Sequence, residues 1–190
     1  MMLLLASQSP RRAELLKQTG IPFRQYPVDI DETVLTHETP DKYVRRMAQE
    51  KSSLGYKRAG AKKLVLGLDT IVVTEGNILG KPKDKADAVR MLNLLSDSTH
   101  QVLTAVTITN CKQQKTIVVD TQVCFGALSN EQIAWYWTTG EPQDKAGSYG
   151  IQGLGGQFVK HIHGSYSAVV GLPLYQTKML LTEFGIINEC

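Results

Sequence analysis

Leu64-Val65-Leu66-Gly67-Leu68-Asp69-Thr70-Ile71-Val72-Val73 is the stretch on which the fold turns. It is a long apolar run that reads as an interior strand. Asp69 interrupts it. A buried carboxylate without a partner is costly, so it needs a cation, a metal ion or hydrogen-bond donors. Such positions are candidates for a general base or a metal ligand. The plainer alternative is an exposed strand end, or a structural partner for a nearby arginine.

Working outward, Glu75-Gly76-Asn77 reads as a turn and Ile78-Leu79 as a short return strand. A helix is expected over Asp84 to Leu95. Gln101 to Thr109 and Thr116 to Phe125 look like strands joined across a polar turn. Ser129-Asn130-Glu131-Gln132 is a capping box, with Leu128 and Ile133 placed for a hydrophobic staple. That helix ends near Gly140, before Glu141-Pro142. A glycine-rich segment follows, from Gly147 to Gly156. Strands are expected near Phe158 to Ile162 and Ser167 to Val170, and Pro173 opens a last helix that ends at Gly185. Upstream, Thr39-Pro40-Asp41 opens a helix running to about Gly55. Met2 to Ala6 reads as a short buried strand, and Pro10 to Thr19 as a helix capped by Ser9. Strands alternating with helices predict an α/β architecture.

The first helix holds a local conflict. Ser9 as N-cap puts Arg11 and Arg12 in the first turn, where the helix end is already positive and acidic residues are favoured. The mismatch costs roughly 0.3–1 kcal/mol for each exposed arginine. An anion resting on Ser7-Gln8-Ser9 and the two guanidinium groups would reverse it, since charge-assisted hydrogen bonds contribute about 1.5–3 kcal/mol each. The alternative is a capped surface helix with both arginines in water.

Lys51 raises a similar question. Stepping by three and four from Val44 gives Met47 or Ala48, then Lys51, then Leu54. A lysine on that apolar stripe either snorkels to solvent or meets an anion. Asp29-Ile30-Asp31-Glu32-Thr33 gathers carboxylates that could ligate a hard divalent cation, or form a solvated acidic loop. Lys81 sits in the constrained Gly80-Lys81-Pro82 turn.

Other chemistries lack their signatures. There is no GxxxxGK[ST] loop and no GxSxG elbow, and the Gly150 to Gly156 run lacks the strand–turn–helix setting of a dinucleotide fingerprint. His161 and His163 have no evident third ligand for zinc. The 190 residues, 42% hydrophobic, suffice for a sizeable core. A net charge of +3 with scattered basic residues argues against extended nucleic-acid binding. The three cysteines (Cys111, Cys124 and Cys190) have no paired spacing, which predicts reduced thiols. With no long apolar span and no basic segment ahead of Met1 to Ala6, the chain reads as a cytoplasmic protein without a membrane span.

Taken in order, Ser7-Gln8-Ser9-Pro10-Arg11-Arg12, Asp31-Glu32-Thr33, Ala48-Gln49-Glu50-Lys51, Gly67-Leu68-Asp69-Thr70, Gly80-Lys81-Pro82, Glu141 to Gly153 and Val170-Gly171-Leu172-Pro173-Leu174 resemble the Maf family of nucleoside triphosphate pyrophosphatases. The series covers nearly the whole chain. The resemblance implies one Maf/ITPase-like α/β domain over residues 1–190, with a mixed central sheet flanked by helices and two lobes about a deep cleft. It implies hydrolysis of a nucleoside triphosphate to monophosphate and pyrophosphate, dependent on a divalent metal cation (Mg2+ or Mn2+). Asp69 matches the family's proposed proton acceptor. Glu32, Lys51 and Lys81 match other catalytic residues, with Glu32 and Asp69 as metal ligands. Arg11, Thr70 and Gln152 match positions tied to base choice, while Ser7, Ser9 and Arg12 would bind substrate.

The Pro-Arg-Arg, Asp-Thr and Tyr-Gly-Ile-Gln-Gly wording resembles the branch acting on dTTP and UTP, with non-standard nucleotides as further substrates. The sister branch, which prefers 7-methyl-GTP, tends to carry Trp after the Pro, Asp-Gln at the strand and Glu in the late loop. Leu68 is bulkier than the residue often found before the aspartate. The resemblance leaves open a nucleotide-binding regulator of septum formation, the same hydrolysis on modified purine nucleotides, and a homodimer.

Overall fold

The computed structural model describes residues 2–60 and 63–186; Cys190 lies outside them. The chain forms two compact units. The first comprises Met1–Asp69, Thr104–Val119 and Gly171–Cys190; the second comprises Thr70–Leu103 and Asp120–Val170.

In the first unit, β1 (Leu3–Leu5) pairs in parallel with β2 (Phe23–Gln25) and with β3 (Leu64–Thr74). Leu3, Leu5, Leu64 and Leu66 are wholly buried, which is why both runs are continuously apolar. The helix α1 (Pro10–Lys17) starts as its sequence predicts, with Ser9 Oγ accepting from Arg12 N. α2 (Pro40–Ala59) runs a turn beyond the expected stop at Gly55. Gly55 is packed rather than terminal: a Cβ there would lie 2.9 Å from Val65 Cγ1. The stop comes at Gly60, with φ 79°. β2 carries no strand signal in the sequence, being short and mostly exposed.

In the second unit, the far end of β3 turns at Gly76 and pairs antiparallel with β4 (Asn77–Leu79), Val73 opposite Ile78. α3 (Lys85–Leu95) begins at the N-cap Asp84. It packs Met91, Leu92 and Leu95 into a core with Val72, Val102, Val123, Phe125, Tyr136 and Phe158. The expected hairpin strands are β5 (Thr99–Thr109) and β6 (Gln114–Phe125), whose Thr104–Val119 portion belongs to the first unit. α4 (Asn130–Thr138) carries the predicted capping box, with both of its hydrogen bonds made. β7 (Val159–His163) pairs antiparallel with β6.

Ser167 to Val170, expected as a strand, is helical: α5 spans Tyr166–Val170. Ser165 Oγ accepts from Ala168 N at 3.2 Å and caps the turn, and the apolar run is too short to reveal its period. α6 (Leu174–Glu183) follows Pro173 as predicted. The strands form one mixed sheet in the order β2-β1-β3-β5-β6-β7, with β4 on β3. No described helix is long and apolar enough to cross a membrane.

Candidate active site

Gly67 decides where Asp69 finds its partner. A Cβ on Gly67 would stand 2.4 Å from Ala48 O and 2.5 Å from Ser52 N, so α2 lies against β3 with no room for a side chain. Ser52 Oγ secures the approach, 2.9 Å from Val65 O and 2.7 Å from Thr109 Oγ1. Lys51, the residue before Ser52, is thereby carried to Asp69, two residues beyond Gly67 on the strand.

Asp69 and Lys51 are 8% and 9% exposed, which removes both the exposed-end reading of Asp69 and the snorkelling reading of Lys51. Lys51 Nζ donates to Asp69 Oδ1 at 2.7 Å and lies 2.6 Å from Glu32 Oε1. The ammonium therefore bridges two carboxylates from distant parts of the chain. Burial raises the Asp69 carboxyl above the usual carboxylate range. The charges of Lys51 and Arg12 and the Lys51 hydrogen bond pull it back, and Glu32 pushes it up again.

The N-terminal turn is built around Arg12. Ser7 is buried, and its Oγ accepts from Ser9 N at 3.2 Å and from Arg12 Nη1 at 3.4 Å. Arg12 Nε donates to Gly171 O at 3.0 Å, and Nη1 donates to Leu68 O at 3.2 Å. The side chain thus ties α1 to β3 and to the segment entering α6, rather than lying in water. Burial lowers its proton affinity; Asp69 opposes this, while Arg11 adds to the lowering. Arg11 is half-buried beside it. Leu68 is wholly buried.

Glu32 belongs to an exposed loop that has its own anchors. Tyr43 Oη donates to Glu32 O at 2.9 Å. Arg46 grips Glu38 through two hydrogen bonds of 2.7 Å and donates to Thr33 O at 2.9 Å. That fork, ahead of all other causes, brings the Glu38 carboxyl down to about 2. Asp31 accepts from Thr33 N at 2.9 Å and shapes the loop instead of reaching Lys51.

The sequence reading did not single out Tyr43, Arg46, Glu38 or Ser52. A tyrosine on an apolar stripe was the available signal, because its hydroxyl requires a partner when buried.

The structure therefore gathers Ser7, Ser9 and Arg12 on one turn, and Glu32, Lys51 and Asp69 in one cluster, all in the first unit. Thr70, Lys81 and Gln152 belong to the second unit. Thr70 follows Asp69 on β3, Lys81 is exposed after β4, and Gln152 is exposed in a turn closed by Gly153 N donating to Gly150 O at 3.2 Å.

The carboxylates of Glu32 and Asp69 are hard oxygen donors, which suit Mg2+ or Mn2+ better than a soft metal. Among the described residues no group of three or more His, Cys, Asp or Glu that could hold a metal ion gathers.

Among known proteins, a dTTP/UTP pyrophosphatase of Pseudoalteromonas atlantica is 56% identical to this chain, with 100% of each covered. One of Vibrio vulnificus is 54% identical, over 96% of this chain and 98% of the other. A solved structure, a HAM1 protein from Coxiella burnetii, matches with TM-score 0.55 at 16% identity, covering 96% and 99%, a likeness of fold alone. The family model described as Maf-like protein matches residues 2–184, and the chain belongs to that family.

Proposed function

We propose that this chain hydrolyses dTTP and UTP to the nucleoside monophosphate and pyrophosphate, by attack of water on the α-phosphorus, in the cytoplasm. The observation that carries the reading is the buried Asp69 bridged through Lys51 to Glu32. A carboxylate in a core strand costs stability even when paired, and the raised proton affinity of Asp69 brings it nearer to the basicity useful at neutral pH. The names of the relatives supply the substrate class.

In this reading Asp69 accepts the proton of the attacking water. Lys51 holds Asp69 in place and keeps enough of it ionised. Ser7, Ser9, Arg11, Arg12 and Lys81 face the polyphosphate, where hydrogen bonds and fixed positive charge offset the anionic oxygens. Thr70 and Gln152 present hydrogen-bonding groups to the pyrimidine, and a site built on such groups strongly rejects a base that leaves them unpaired. Glu32 and Asp69 would hold a divalent cation, which when bound supplies charge neutralisation at the phosphate oxygens.

The test is a panel of nucleoside triphosphates with Mg2+ or Mn2+, assayed separately for pyrophosphate and orthophosphate. Pyrophosphate from dTTP and UTP ahead of purine nucleotides is expected. Orthophosphate alone refutes attack at the α-phosphorus, and no release from any nucleotide leaves a binding role.

A further inference from the structure

The glycine-rich run Gly150-Ile151-Gln152-Gly153-Leu154-Gly155-Gly156 has a use that no dinucleotide motif explains. Its backbone is pinned by one carboxylate and one phenol. Glu141 Oε2 accepts from Leu154 N at 2.8 Å, and Glu141 Oε1 accepts from Gly155 N at 3.0 Å. Tyr136 Oη donates to Glu141 Oε1 at 2.7 Å and accepts from Gly150 N at 3.1 Å. The residues on both sides of Gln152 are thus tied to the same pair of side chains.

The glycines are there because the loop lies directly on that pair. A Cβ at Gly153 would stand 2.3 Å from Glu141 Oε2, and one at Gly155 would stand 2.4 Å from Tyr136 Oη. Ile151 packs into the core of the second unit, while Gln152 faces outward. Tyr136 is wholly buried, with Phe158 edge-on at 5.0 Å, so the pinning point is itself rigid.

We propose that Glu141, with Tyr136, is a positioning residue that sets base discrimination by fixing the orientation of Gln152. This deepens the reading of Gln152 as a contact to the pyrimidine and rests on it. A glutamine on a free loop would sample several rotamers and hydrogen-bond any base. A glutamine on a backbone held in place extends from one fixed Cα direction, which narrows the set of rotamers that reach a given base and the donor and acceptor patterns they can match.

Glu141→Gln is the discriminating variant. It keeps the shape but turns one accepting oxygen into a donor, set against N–H or O–H groups that also donate. Tyr136→Phe removes both hydroxyl bonds while keeping the ring packing. The experiment measures kcat and KM for dTTP, UTP, CTP and GTP with wild type, Glu141→Gln, Tyr136→Phe, Gln152→Ala and the Glu141→Gln/Gln152→Ala pair, with thermal unfolding of each.

Glu141→Gln is expected to lower the preference for dTTP over GTP by about tenfold, mainly through KM, and to have no further effect on preference once Gln152 is alanine. Tyr136→Phe should move in the same direction, and carries the test if Glu141→Gln does not fold. Equal losses for all four nucleotides, or effects that add in the double variant, overturn the proposal. If Gln152→Ala itself leaves the preference intact, the reading of Gln152 fails and this proposal falls with it. If Gln152→Ala matters and Glu141→Gln does not, only the role of Glu141 is overturned.

Discussion

Two carboxylates, Asp69 in the first unit and Glu141 in the second, meet opposite treatment. Asp69 lies in an apolar strand and is met by a lysine ammonium, with its backbone flanked by the Arg12 guanidinium. Burial prevails there, and the carboxyl is pushed up. Glu141 is met by the Tyr136 hydroxyl and by two backbone N–H groups. Burial pushes it up too, but those donors and Lys145 outweigh the effect and hold it below its ordinary range. Three hydrogen bonds donated to the partly exposed Glu141 carboxylate hold it as an anion, whereas the deeper burial of Asp69 outweighs its single ammonium hydrogen bond and leaves it able to take a proton. The first environment suits a base, the second a staple.

The sharpest way to break that contrast is Asp69→Asn. The rate should fall by about 10²–10⁴ while the fold persists. A group whose proton affinity is raised on folding contributes stability at low pH that is lost as pH rises through its folded value. Removing that carboxyl should therefore remove this part of the pH dependence of thermal unfolding, while Glu32 still lies 2.6 Å from the Lys51 ammonium. Full activity in this variant would end the role of base.

Lys51→Met tests the other half of the pair. Without the ammonium, the pull that lowers Asp69 is lost, so the acid limb of the kcat/KM profile should move to higher pH. Breaking a buried pair in this way costs about 3 kcal/mol of stability. An unmoved acid limb would mean that Asp69 does not control the profile.

Acid unfolding separates two sources within the second unit. His100 is buried, its Nε2 2.8 Å from Tyr149 Oη, and burial brings it down to about 4. A neutral buried histidine contributes stability above its ordinary value of 6.5 that is lost as pH falls from there towards 4. That loss amounts to about 3 kcal/mol, and His100→Gln should remove most of it. Glu141 loses its own contribution as pH falls below the ordinary glutamate range, so Glu141→Gln should flatten the later part of the curve.

The smallest effect expected is for Tyr43→Phe. It removes the single bond to Glu32 O and should cost about 0.5–1.5 kcal/mol of stability. Loosening Glu32 should also weaken Mn2+ binding, measured by calorimetry on the intact chain.

The central strand, its turn at Gly76, the caps at Ser9 and Ser129 and the pairing of β5 with β6 were legible because each is written in neighbouring residues. The short helix α5 and the strand β2 were not. Neither has enough residues to show a period, and tertiary partners decide such segments. By itself, the sequence determined that charged residues stand at apolar positions, at Lys51 and Asp69, and that such positions demand partners. Tertiary structure alone decided which partners. Lys51 reaches Asp69 and Glu32 because Gly67 lets α2 meet β3, and Arg12 turns Nε and Nη1 to the carbonyls of Gly171 and Leu68. A single sequence states the need of each buried charge, but the distance between residues far apart in the chain exists only once the backbone has closed.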